Sequence, residues 1–149
     1  MRPEVVGRPM EILLVEDNLE DAGLAIQALR EGGLECRISL VRDGQEALDF
    51  LHRRGIYARA PKPDLVLLDL YLPKKDGREV LAEIRADQHL RWLSVVVLTA
   101  SQLHEEILRR EQLAVDGYLV KPIDFPKFIA LVKQLRQSWL KEVILPPLD

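Results

Sequence analysis

The chain of 149 residues has one cysteine, Cys36, so it cannot form an internal disulfide. It has no excess of positive charge: 21 Lys+Arg stand against 24 Asp+Glu, a formal net charge of -3. This argues against nucleic acid or anionic membrane as the main partner, because either requires a basic surface to replace condensed counterions. It also lacks long apolar runs. Leu65 to Leu68 and Val95 to Leu98 fall far short of the roughly 20 residues needed to cross a bilayer. The opening MRPEVVGRPM has no apolar stretch of the kind a secretion signal needs, so a cytoplasmic location is expected. His52, His89 and His104 have no metal-ligand spacing and read as helix-surface residues. Cys36 reads as a buried small apolar residue. No repeat, low-complexity segment or linker interrupts residues 11–140, and the length suits one domain. A tail over 1–10 and an extension over 141–149 flank it.

Within that domain, Ile12-Leu13-Leu14-Val15, Leu65-Val66-Leu67-Leu68 and Val95-Val96-Val97-Leu98 are short runs rich in branched residues. Strands read this way when helices cover both their faces, so these predict central parallel strands. Glu35 to Val41 and Gly117 to Val120 are weaker candidates, the latter suited to a sheet edge. Between the runs, apolar residues recur at helical spacing. Ala22, Ala25, Ile26 and Leu29 predict a first helix ended by Gly32-Gly33, and Ala47, Leu48 and Leu51 a second ended near Gly55. Asp43 followed by Glu46 resembles a capping box. Val80, Leu81 and Ile84 mark a third helix, Leu103 and Ile107 a short fourth, and Phe125, Phe128, Ile129, Val132, Leu135 and Trp139 a long fifth. Strand and helix alternate five times, which predicts a three-layer α/β sandwich.

In such sheets the site lies off the carboxyl ends of the strands. Glu16 and Asp17 end the first strand, Asp69 the third, Thr99 the fourth and Lys121 the fifth. Carboxylates gathered in a small volume repel one another, and a bound cation relieves them. Oxygen-only ligands select a hard ion, for which Mg²⁺ is the best fit. Lys121 and Thr99 are placed to meet phosphoryl oxygens, so the arrangement suits a phosphoryl group on Asp69.

Glu16-Asp17, Asp69 with Pro73 and Gly77, Thr99-Ala100, and Tyr118 with Lys121-Pro122 together resemble the receiver domain of two-component response regulators. The resemblance spans almost the whole chain. Within the family, KKDGREVLAEI, GIYARAPKPDLVLLDLYLP and the tail with Trp139-Leu140 and Leu145-Pro146-Pro147 are similar to single-domain regulators paired with bacterial phytochrome histidine kinases. The resemblance implies a flavodoxin-like doubly wound fold with strand order 2-1-3-4-5. It further implies a stand-alone protein that accepts a phosphoryl group on Asp69 from such a kinase and is not an enzyme on other substrates. Asp17 and Asp69 would ligate Mg²⁺ directly, Glu16 through water, and Tyr71 through its main-chain carbonyl. A cis bond before Pro122 would aim Lys121 inward, and Thr99 and Tyr118 would form the switch.

Tyr71 departs from the family, and its ring is expected to shield the aspartyl phosphate from water. The apolar run from Trp139 to Pro147 suggests a homodimer built on the fourth helix, fifth strand and fifth helix, since a two-fold partner would cover the exposed edge strand. With the chain ending soon after the fifth helix, output is expected through protein contacts. A haloacid dehalogenase-type phosphatase would want a second acid where Tyr71 stands. A flavin carrier would want a Ser/Thr/Gly-rich loop where Asn18-Leu19-Glu20-Asp21 stands. A phosphorylation-independent pseudo-receiver scaffold is the remaining alternative.

Overall fold

The structure, a computed structural model, describes residues 9–31, 35–99, 109, 113–121 and 124–143, with the backbone alone for 125 and 136–143. The three apolar runs are strands β1 (Met10–Val15), β3 (Leu65–Asp69) and β4 (Ser94–Thr99). β2 (Cys36–Val41) and β5 (Gly117–Val120) flank them. All pairings are parallel, in the order β2-β1-β3-β4-β5, as expected.

The described helices are α1 (Leu19–Glu31), α2 (Gly44–Leu51), α3 (Gly77–Ala86) and α4 (Phe125–Val143), the last being the helix read as the fifth. The segment around Leu103 and Ile107 and the Gly32-Gly33 stop lie outside the described residues, as does His104. No described helix is long and apolar enough to cross a membrane.

Both faces of the central strands are covered. Leu13, Val15, Val66, Leu68, Val95 and Val97 pack with Ala47 and Leu48 of α2 and Val80, Leu81 and Ile84 of α3. The alternate residues Ile12, Leu14, Leu65, Leu67, Val96 and Leu98 pack with Ala22, Ala25 and Leu29 of α1 and Phe128 and Val132 of α4. Burial of each such leucine or isoleucine stabilises the fold by about 1.5–3 kcal/mol. Two-sided burial therefore explains why the sequence shows continuous apolar runs where a half-exposed sheet would alternate.

Local expectations needed three corrections. Asp43 accepts a hydrogen bond from the Glu46 N–H at 2.7 Å, but the Glu46 carboxylate accepts from the Arg42 N–H, not from that of Asp43. The reciprocal capping box stands instead at Asp76 and Glu79, opening α3. α2 stops at Leu51, with His52 as its cap, and His89 lies in the turn after α3; neither is a helix-surface residue. Cys36 is only half-buried, at the start of the edge strand β2, and its desolvation pushes the thiol pKa up.

Candidate functional site: acids and a lysine at the strand ends

Register brings the site together. Val15 pairs with Leu68, so Glu16 emerges beside Asp69. Asp69 pairs with Leu98, which puts Thr99 one step further, and Thr99 pairs with Val120, which puts Lys121 next. The ladder continues one bond past the ends of β1 and β5. The Glu16 N–H donates to the Val41 carbonyl at 3.0 Å and the Lys121 N–H to the Thr99 carbonyl at 2.8 Å.

Lys121 is the centre of the cluster. Its Nζ donates to Asp69 Oδ2 at 3.0 Å and to Asp21 Oδ2 at 3.1 Å. Glu16 Oε1 lies 2.6 Å from the same nitrogen but off the hydrogen-bonding direction, so this buried oxygen has an ionic contact and no hydrogen-bond partner. Burial and the neighbouring Asp69 carboxylate push the Glu16 carboxyl up to about 7, against the opposing pull of Lys121. For Lys121, burial alone lowers the pKa, but the carboxylates of Glu16, Asp69 and Asp21 outweigh it and hold the ammonium above the ordinary lysine range.

Asp21 was not among the expected site residues. Asn18 caps α1, its side chain accepting the Asp21 N–H at 3.0 Å, and this places Asp21 in the first helical turn facing Lys121. Acids in a first helical turn are common for dipole reasons alone, so the sequence carries no mark that singles it out.

Asp17, also expected among the carboxylates, contacts a different cation from Glu16 and Asp69. Its side chain is 52% exposed and its Oδ1 lies 3.9 Å from Arg42 Nη2. Among the described residues no three acid, histidine or cysteine side chains form a ready metal cage. The donors at the strand ends are nonetheless all oxygens, and Glu16 Oε1, in ionic contact with Lys121 but without a hydrogen bond, is buried among them. In kind they fit a hard divalent ion.

The remaining expected residues fall around this core. Thr99 is buried at the end of β4. Tyr71 is 64% exposed and its main-chain N–H donates to Asp69 Oδ1 at 3.0 Å, so both oxygens of Asp69 are engaged. Tyr118 is half-buried, packed against the core on the α2–α3 face. Pro122 and Ala100 lie outside the described residues.

Gly77 has a specific reason to be there. A Cβ on it would stand 2.4 Å from the Asp69 carbonyl oxygen and 2.6 Å from Leu70 Cα, so only glycine lets α3 start directly beneath Asp69. Between them the chain turns sharply at Lys74, at φ 67°, with the Lys75 N–H donating to the Pro73 carbonyl at 2.7 Å.

A 2-1-3-4-5 parallel sheet with carboxylates at the ends of β1 and β3 facing a lysine after β5 defines a receiver-type signalling domain. The family model described as "Response regulator receiver domain" matches residues 12–133, and the chain belongs to that family. It is 41% identical over 138 residues to the response regulator Rcp1 of Synechocystis sp., spanning 93% of this chain and 94% of that one. The Mn(2+)-bound form of Rcp1 has a TM-score of 0.72 to this structure at 40% identity, covering 93% of this chain and all of that one. The phosphorylated cyanobacterial phytochrome response regulator RcpA has a TM-score of 0.74 at 42% identity, over 94% of this chain and 100% of that one. The bacteriophytochrome response regulator RtBRR has a TM-score of 0.80 at 40% identity, over 86% and 78%. The chain is thus a response regulator related to the phytochrome response regulators.

Proposed function

We propose that this chain takes a phosphoryl group from a histidine kinase onto Asp69 in the presence of Mg²⁺ and signals through phosphorylation-dependent protein contacts. The observation that carries the reading is the 3.0 Å pairing of Asp69 Oδ2 with Lys121 Nζ, whose ammonium also meets the buried Glu16 Oε1 at 2.6 Å. In the transfer, a carboxylate oxygen of Asp69 attacks phosphorus while the bond from phosphorus to the donor nitrogen breaks, its electron pair staying on the imidazole. Lys121, already against Asp69, follows the charge onto a phosphoryl oxygen. The Thr99 hydroxyl donates to a second.

Asp17, Asp69, Glu16 and the Tyr71 carbonyl would hold Mg²⁺, which supplies charge to offset the phosphoryl oxygens. The Mn(2+)-bound Rcp1 and the phosphorylated RcpA, both close relatives, support these two states. Beyond its own phosphorylation and slow hydrolysis the protein catalyses nothing.

The names of these relatives favour a bacterial phytochrome as the kinase. The acidic balance of the chain, 21 Lys+Arg against 24 Asp+Glu, supports a cytoplasmic protein whose partners are proteins and not nucleic acid or membrane. Movement of Thr99 toward the phosphoryl group would open space for the Tyr118 ring and remodel the surface around β5. That strand is a sheet edge with Val120 exposed, and a homodimer through the fourth helix, β5 and α4 would cover it. The exposed Tyr71 ring shields the phosphate from in-line water, so Tyr71→Asn shortens the phosphorylated lifetime.

Intact mass after incubation with acetyl phosphate, with and without Mg²⁺, tests the central reading on wild type and Asp69→Asn. One Mg²⁺-dependent phosphoryl adduct that the variant lacks is expected. No adduct on the wild type would overturn it in favour of a phosphorylation-independent scaffold.

A further inference from the structure

Two cations of the chain hold the carboxylates at the strand ends, and they do so differently. Lys121 sits among Glu16, Asp69 and Asp21. Arg42 takes Asp17 instead: its Nη2 donates to the Asp17 main-chain carbonyl at 3.2 Å and stands 3.9 Å from Asp17 Oδ1. This is a grip on both the backbone and the side chain of one residue.

Arg42 is well placed to keep that grip. It follows Val41, which is buried and whose carbonyl accepts the Glu16 N–H. The Arg42 N–H is fixed in turn by Glu46 Oε1 at 2.9 Å, and Glu46 Oε2 accepts from the Tyr57 hydroxyl. The guanidinium therefore projects from a fixed point at the end of β2, next to the end of β1. Both side chains of the pair are half exposed, so the interaction is weak enough for an ion to displace.

We propose that Arg42 is a built-in competitor for the divalent ion, pairing with Asp17 until metal takes its place. The inference rests on the metal reading given above. Arg42 thereby sets the concentration at which the site fills, and its cost to the ion has two parts. The Asp17 pairing must open, and a positive charge remains a few ångströms from a doubly charged ion in partly aqueous surroundings. Together these correspond to about three- to tenfold in affinity.

Lys74 is the control. It is another exposed cation at this end of the molecule, 3.5 Å from Asp43 Oδ2, and no contact joins it to Asp17. Calorimetric titration of MgCl₂ into metal-free protein reads the effect directly, with no phosphoryl transfer involved. Wild type, Arg42→Gln and Lys74→Gln are compared, each first checked for an unchanged melting temperature in chelator.

Arg42→Gln is expected to bind Mg²⁺ three- to tenfold tighter at low salt, with the gain shrinking as ionic strength rises, and Lys74→Gln to stay within about twofold. Wild-type binding with an unchanged or weaker Arg42→Gln affinity overturns the competitor role alone. An equal gain in Lys74→Gln also overturns it, by assigning the effect to the general field. Absence of Mg²⁺ binding in all three proteins overturns the metal reading and this inference with it.

Discussion

Lys121 Nζ and Asp69 Oδ2 meet at 3.0 Å although the two residues are 52 positions apart in the chain. With Glu16 on the same nitrogen, one ammonium compensates two buried carboxylates.

Lys121→Ala leaves those carboxylates buried without their cation, and unfolding free energy should fall by about 2–4 kcal/mol at neutral pH. The loss should shrink on acidification, because the carboxylates then take up protons and no longer need a partner. Urea unfolding of both proteins at pH 7.5 and pH 5 checks the sign. A deficit that grows at the lower pH would contradict the assignment.

Gly77→Ala and Gly23→Ala make a contrast. At Gly77 a methyl group collides with the main chain of Asp69 and Leu70, so stability should drop by about 1–3 kcal/mol. Phosphoryl transfer should slow, because relieving the clash moves Asp69. At Gly23, inside α1, a methyl group meets nothing within 4 Å, and alanine should gain about 0.5–1 kcal/mol from helix propensity. Thermal melts of the two variants check both signs.

Arg85 donates to the carbonyls of Ala114 at 2.7 Å, Arg91 at 2.9 Å and Leu93 at 2.7 Å, and to Asp116 Oδ2 at 3.2 Å. It ties the end of α3 to the turn before β4 and the loop before β5. Arg85→Ala should cost about 2–3 kcal/mol, and Arg85→Lys should recover little, since one ammonium cannot span acceptors arranged for a planar fork. Near-complete rescue by lysine in denaturant unfolding would mean that charge, not the fork, is what counts.

Tyr57 gives a pH dependence. Burial, its bond to Glu46 and the charge of that carboxylate push the phenol up to about 12, above its value of 10.0 in the unfolded chain. The folded state therefore favours the protonated phenol, and this contribution is complete below pH 10 and lost as pH rises toward 12. Tyr57→Phe should lose stability less steeply than wild type between pH 9.5 and 11.5 in guanidinium unfolding. Equal slopes would remove Tyr57 from the account.

The strand positions were legible because burial on two faces writes a continuous apolar run into the sequence. Glu16, Asp69, Thr99 and Lys121 were legible for a related reason: a polar residue that abruptly ends such a run can only lie at the sheet's carboxyl edge. Capping was legible only in part, since Asp43 and Glu46 have the spacing of a box but Tyr57 and Arg42 draw the Glu46 carboxylate away. Asp21 was legible as a first-turn acid and not as a partner of a lysine 100 residues downstream.

The sequence by itself determined the layered fold, the strand ends and the family, because these follow from which residues are apolar and where the runs break. Tertiary structure alone decided how the charges are shared. Asp17 goes to Arg42, while Asp21 joins Glu16 and Asp69 on Lys121. Charge is isotropic and leaves no periodicity in the chain. Its pairing is set by which strand ends and helix starts the sheet order brings within a few ångströms.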